Sequence, residues 1–287
     1  MTVGCCDQTA KGGAKVQILR ALCLALAIAA LPLPAALAKT LVDLELVLAI
    51  DTSGSVDMRE YRLQMEGVAR AFRDPAVIAA IRGTGPAGIA VTVMHWSSSG
   101  EQHRLVPWMQ IRGARSAAAF ASRVRASMLP RRFSDSTGVG DALLAAERLI
   151  ASNRFEGRRK SIDISGDGIN NSGIPPELVR DAIVAAGVTI NGLAILNEQP
   201  HLHRYYLRHV IGGAGAFVMT VARYDDIIAA MRVKLLREIS ISIAGPDMPQ
   251  QQEDTFKQGE GPWQNGGSIG PKARPGETGE RTTSAGG

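Results

Sequence analysis

The sequence predicts an α/β domain built on a doubly wound, mostly parallel six-stranded sheet with one antiparallel edge strand. Three observations lead there. Apolar runs of strand length alternate with segments of helical periodicity along most of the chain. The strand runs are rich in Val, Ile, Leu and Ala, as strands covered on both faces require. Polar, glycine-bearing loops follow the strand ends, where open sheets of this class form their sites.

The elements follow in order. Leu44 to Ile50 is an apolar run interrupted only by Glu45, and reads as a buried strand. Tyr61, Met65, Val68 and Phe72 recur at helical spacing in a helix from about Val56 to Arg73, stopped by Asp74-Pro75. Ile89, Val91 and Val93 mark a second strand ending at Trp96 and the Ser97–Gly100 turn. Residues 103–109 form the third. It follows too closely for a parallel crossover, so it runs antiparallel at the edge. A helix spans Ser116 to Met128, a polar loop spans Phe133 to Gly138, and a further helix carries Val139, Leu143, Ala146 and Ile150. Ser161 to Ser165 is a strand, with Gly166-Asp167-Gly168-Ile169-Asn170-Asn171 as its C-terminal loop. A helix from Pro175-Pro176 to about Ala186, a strand over Val188–Leu196, a helical Leu202–Ile211, a strand over Ala216–Val221 and a helix over Tyr224–Arg237 complete the set.

Both ends of the chain differ from this pattern. Lys11, Lys15 and Arg20 precede an apolar stretch from Ala21 to Leu31, and Ala36-Leu37-Ala38 closes it with a cleavage pattern. Residues 1–38 therefore read as a signal peptide, with a retained anchor as the alternative, and the product as periplasmic or secreted. Leu22 before Cys23 argues against lipidation. Cys5, Cys6 and Cys23 all lie in the removed segment, which excludes thiolate and cysteine–metal chemistry from the remainder. From Gly245, Gly and Pro supply 15 of the last 43 residues, and apolar residues stand alone. Residues 245–287 thus read as a disordered tail, in which Trp263 is either a docking motif or a stray aromatic. The domain proper is 39–244.

The 287 residues are 45% hydrophobic, enough for a large core, and only 5% aromatic, so that core is small and aliphatic. The formal charge of +5 is scattered, and its densest cluster, Arg154, Arg158, Arg159 and Lys160, suits a solvated loop better than a nucleic-acid footprint.

Asp51-Thr52-Ser53-Gly54-Ser55 directly follows the first strand and places one carboxylate and two hydroxyls on a tight turn. Asp167 follows another strand, and Thr137 opens a helix. Brought together, these loops offer two carboxylates and three hydroxyls, an oxygen set suited to Mg2+, Mn2+ or Ca2+. Helix capping is the ordinary alternative, by Asp51 and Ser53 before Val56 and by Thr137 before Val139. Asp135, Asn170 and Asn171 are candidates to support the site, though turn formation explains them as well. His95 and Trp96 end a strand beside it as edge residues, and Tyr205-Tyr206 read as packing.

The pattern resembles the von Willebrand factor A-type domain with its metal-ion-dependent adhesion site, in an exported bacterial branch. The residues that carry the resemblance are Asp51, Ser53 and Ser55 as D-x-S-x-S, Thr137 opening Thr137-Gly138-Val139-Gly140-Asp141-Ala142-Leu143, and Asp167 in Ser165-Gly166-Asp167-Gly168. Where the family usually has T-D-G, this chain has Gly166, a change expected to touch no ligand. The resemblance spans about residues 42–240. It implies strand order 3-2-1-4-5-6, a divalent cation, binding without turnover, and a protein partner that supplies an Asp or Glu carboxylate. It further implies that Ser53, Ser55 and Thr137 coordinate directly, while Asp51 and Asp167 act through water.

Two other functions compete. A haloacid-dehalogenase-like phosphatase would use Asp51 as nucleophile and the 166–171 loop for metal, but Ser53 and Asn171 stand where it needs carboxylates. An envelope assembly factor or chaperone would use the same cation site. The Gly266–Gly270 match to a serine nucleophile motif lacks a strand before it and a helix after it.

Overall fold

The computed structural model describes Met1, residues 38–128, residues 136–240 and the backbone of residues 252–255. Its chain order is β1 (Thr40–Asp51), α1 (Met58–Ala71), α2 (Pro75–Gly83), β2 (Ile89–Trp96), β3 (Gln102–Ile111), α3 (Ala114–Ala126), α4 (Val139–Ala151), β4 (Phe155–Gly166), α5 (Pro176–Ala185), β5 (Val188–Ile195), α6 (Leu202–Tyr205), β6 (Phe217–Val221), α7 (Ile227–Ser240) and β7 (Gln252–Thr255). A π-helical turn, Tyr206–Val210, continues α6, and a 3-10 turn, Tyr224–Asp226, leads into α7.

The sheet order is β3-β2-β1-β4-β5-β6-β7. Strands β1, β2, β4, β5 and β6 run parallel, and β3 pairs antiparallel with β2. The six expected strands thus stand in the expected order. β1 explains the unbroken apolar run: Leu44, Leu46, Leu48 and Ile50 pack on one face with α1, α2, α3 and α7, while Val47 and Ala49 pack on the other with α4, α5 and α6. Glu45, the one interruption, is fully buried and accepts a hydrogen bond from Gly157 N at 2.6 Å.

Three details differ from expectation. Asp74-Pro75 ends α1 by starting α2: the Asp74 carboxylate accepts from Ala76 N at 2.9 Å, with Pro75 at the first helical position. β4 begins six residues earlier than its apolar core suggests, because its polar half pairs with β1 from Thr40↔Phe155 onward. β7 adds a seventh strand, parallel to β6, inside the segment read as a tail. Backbone pairing along a sheet edge needs no apolar side chain, and Gln252-Glu253-Asp254-Thr255 carries no strand signal. Residues 2–37 of the expected signal peptide, Asp135, Trp263 and the Gly266–Gly270 motif lie outside the described residues.

Candidate functional site

Three loops meet at the C-terminal ends of β1 and β4. These strands are parallel neighbours, with Ile50 opposite Ser165, so Asp51 and Asp167 emerge side by side despite their separation in sequence. The third loop, residues 136–138, is clamped from two directions. Gly138 N donates to Ser97 O at 2.7 Å. Asn171 N donates to Thr137 O at 2.9 Å, and the Asn171 side chain accepts from Thr137 N at 2.7 Å. Behind it, a Cβ on Gly140 would fall 2.0 Å from Ile174 O, so only glycine lets α4 pack this close. Asp141 completes the clamp, accepting from Ile174 N at 2.9 Å and Ser99 Oγ at 3.2 Å.

All five candidate residues belong to these loops. Ser53 N donates to Asp51 Oδ1 at 2.7 Å, Ser53 Oγ lies 3.3 Å from Ser55 Oγ, and Ser55 Oγ donates to Asp167 Oδ1 at 2.6 Å. A Cβ on Gly168 would lie 3.3 Å from Thr137 Oγ1, which places that hydroxyl against the Asp167 loop. Asp51 and Asp167 are fully buried and Thr137 is nearly so, whereas Ser55 reaches solvent.

Neither capping explanation accounts for these side chains. The cap of α1 is Asp57, in a reciprocal box with Glu60 at 2.8 Å in each direction. The cap position of α4 is Gly138, with no side-chain cap.

The electrostatics are unusual. The Asp51 carboxyl is pushed up to about 7, first by burial and then by the neighbouring Asp167, against hydrogen bonds from Ser53 and the Asp167 backbone. Among the described residues no cationic side chain contributes, and Asp51 Oδ2 has no hydrogen-bond partner. Two crowded carboxylates beside three hydroxyls fit a divalent cation. Bonds of 2.0–2.1 Å at right angles would set neighbouring oxygens about 2.9 Å apart, and the 2.6 and 3.3 Å contacts here bracket that spacing. Among the described residues no three His, Asp or Glu side chains cluster as metal ligands, so any ion here depends on the hydroxyls.

Sequence reasoning missed the supports of the site. Gln64 of α1 donates to Asp51 O at 3.2 Å and accepts from Ser165 Oγ at 3.3 Å. Tyr224 donates to Asp167 Oδ2 at 3.0 Å, and Tyr205 Oη accepts from Asn170 N at 3.2 Å. No local spacing signals these contacts, because their residues lie on three different helical segments. Gly166, expected to be neutral, borders the site: a Cβ there would lie 2.7 Å from Asp51 Oδ2. His95 packs edge-on against Tyr61, 5.1 Å between ring centroids.

Sheet order and loops converging at the C-terminal strand ends define a doubly wound α/β domain. The chain itself belongs to the family described as "Protein of unknown function (DUF1194)", whose model matches residues 41–243. Among solved structures it is similar to proximal thread matrix protein 1 from the mussel byssus with a zinc-occupied MIDAS motif. Identity there is 18% over 70% of this chain and 47% of that one, at a TM-score of 0.51. It is also similar to the pilus adhesin SpaC from Lactobacillus rhamnosus GG, with 13% identity over 69% of this chain and 30% of that one, at a TM-score of 0.50. The chain thus spans about half the length of the byssus protein and less than a third of the adhesin. At these identities the likeness is one of fold. No curated protein matches the sequence.

Proposed function

We propose that the domain binds a divalent cation, Mg2+ or else Mn2+ or Ca2+, through Asp51, Ser53, Ser55, Thr137 and Asp167. Through it the domain engages an Asp or Glu carboxylate on a protein partner outside the cytoplasm. One observation carries this reading: two buried carboxylates share a hydroxyl-lined site, and among the described residues no cationic side chain is paired with them. When bound, the cation supplies a Lewis-acid position that attracts an anionic oxygen. The chain's own residues do the rest. Gln64 fixes the first loop, Asn171 and Asp141 fix the second to the third, and the exposed Ser55 marks the side from which a partner arrives.

Binding rather than turnover is supported by the position of Asp51. As a phosphatase nucleophile it would need an accessible oxygen, yet it is fully buried, with Oδ1 held by Ser53 N and Oδ2 facing inward across Gly166. Among the described residues no helix is long and apolar enough to cross a membrane. A byssus matrix protein and a pilus adhesin among the fold relatives support an adhesive role for an exported product.

The test is calorimetric titration of the purified chain with Mg2+, Mn2+ and Ca2+, followed by capture from envelope extract in Mg2+ or chelator. Asp51→Ala is expected to fold but to lose cation uptake and metal-dependent capture. Uptake equal to wild type would refute the reading. Hydrolysis of a generic phosphate ester by the wild type, lost in Asp51→Ala, would favour the enzyme.

A further inference from the structure

We propose that Tyr206 is a positioning residue of the cation site: its phenol serves the inner oxygen of Asp51, and Gly166 makes that approach possible. The inference rests on the cation reading above. Asp51 Oδ2 and Tyr206 Oη are both buried, and neither has a hydrogen-bond partner among the described residues. Both border Gly166, where a Cβ would lie 2.7 Å from Asp51 Oδ2, 2.9 Å from Tyr206 Oη and 3.1 Å from Trp96 Cζ2. A side chain at position 166 would crowd phenol and carboxylate alike.

The local backbone is built to deliver this phenol. Tyr206 opens the π-helical turn Tyr206–Val210, a form found mostly as single turns and often at functional sites. Its neighbour Tyr205 already contacts Asn170 on the Asp167 loop, so consecutive residues of one helix serve the rim and the floor of the same site. A tyrosine phenol carries one proton, which toward a carboxylate it donates. Asp51 Oδ1 is occupied by Ser53 N, which leaves Oδ2 as the oxygen a phenol can orient. Tyr224 does the same openly for Asp167 Oδ2 at 3.0 Å. Outer hydrogen-bond donors of this kind fix the direction of ligating carboxylates and commonly change metal affinity about 10–100-fold when removed.

The test compares Tyr206→Phe with wild type in the full chain, using Mn2+ as the probe. Mn2+ affinity is read by calorimetry and by the manganese paramagnetic resonance spectrum, and stability by urea unfolding in chelator. The expected result is split. Mn2+ binding weakens about 10-fold or more, while the urea midpoint in chelator stays or rises, because the variant removes a buried hydroxyl that has no partner. A lower midpoint with unchanged Mn2+ affinity is the signature of a packing hydroxyl and overturns the inference. Gly166→Ala supplies a second reading. It should weaken Mn2+ binding at least as much, and adding Tyr206→Phe to it should cost little more; fully additive losses would count against a shared device. If Gly166→Ala fails to fold, Tyr206→Phe still decides. Should the wild type take up no Mn2+, the cation reading falls and this role with it. Should wild type and Tyr206→Phe bind equally, only the role of Tyr206 falls.

Discussion

Replacing Lys234 of α7 with methionine removes a charge from the centre of the domain. Lys234 is fully buried and pairs with Asp163 of β4, itself 3% exposed. Beside them, Glu238 accepts from Ser161 Oγ and from Asn191 Nδ2 at 2.9 Å, and its charge adds to that of Asp163. Burial pushes Asp163 up to about 6 even though Lys234 draws it down. Without Lys234 the carboxylate either stays charged with no partner or takes a proton at neutral pH. Breaking a buried pair from one side costs about 3–5 kcal/mol. In a domain of about 200 residues, each kcal/mol moves Tm by roughly 2–4 °C, which gives a fall of about 10 °C. Methionine keeps the length of the chain, so the loss is electrostatic rather than a cavity. Urea unfolding at pH 7 measures it, and the double variant Lys234→Met/Asp163→Leu should recover most of the loss, since an apolar pair of similar volume is tolerated where half an ion pair is not. If Lys234→Met lies within about 1 kcal/mol of wild type, the pair does not behave as a buried electrostatic unit and the reasoning fails.

Three further predictions concern other groups. Hydrogen bonds from Arg125, at 2.9 and 2.7 Å, and from Arg70 hold Glu66 well below its usual range, at about 2. A carboxyl depressed in the folded state stabilises above its unfolded pKa, and that contribution disappears as pH falls through the folded value. Urea midpoints should therefore drop between about pH 4.5 and 2, and Glu66→Gln should flatten part of that drop; parallel curves would refute it. Asp57→Ala removes the cap of α1 and should cost about 1 kcal/mol of stability while leaving Mn2+ affinity within a few-fold, which separates the cap from the neighbouring site. Asp51→Asn should be at least as stable as wild type in chelator, because the carboxylate it removes is buried against Asp167 without a counter-charge. Saturating Mn2+ should then raise the Tm of wild type alone; equal rises in both proteins would exclude Asp51 from the site.

The sequence by itself determined the kinds and order of the strands and helices from Leu44 to Arg237. Apolar periodicity records burial, and every strand of the parallel core is buried on one or both faces, so six strands, the antiparallel β3 among them, were legible. It also supplied Asp51, Ser53, Ser55, Thr137 and Asp167 as a group, because each stands at the edge of a periodic segment. What periodicity does not record is contact between segments. That Asp57 rather than Asp51 caps α1 depends on where the helix starts, a matter of two or three residues. The second helix behind Asp74 has only two buried apolar positions, Val77 and Ile81, too few to announce it. β7 is defined by its backbone pairing with β6, to which side-chain pattern is blind. Gly166 and Tyr206 are separated by forty positions and meet only because β4 and the turn after α6 end at the same place. The tertiary structure therefore decided the floor of the site: the strand neighbours set which carboxylates crowd together, and the helix ends set which phenols reach them.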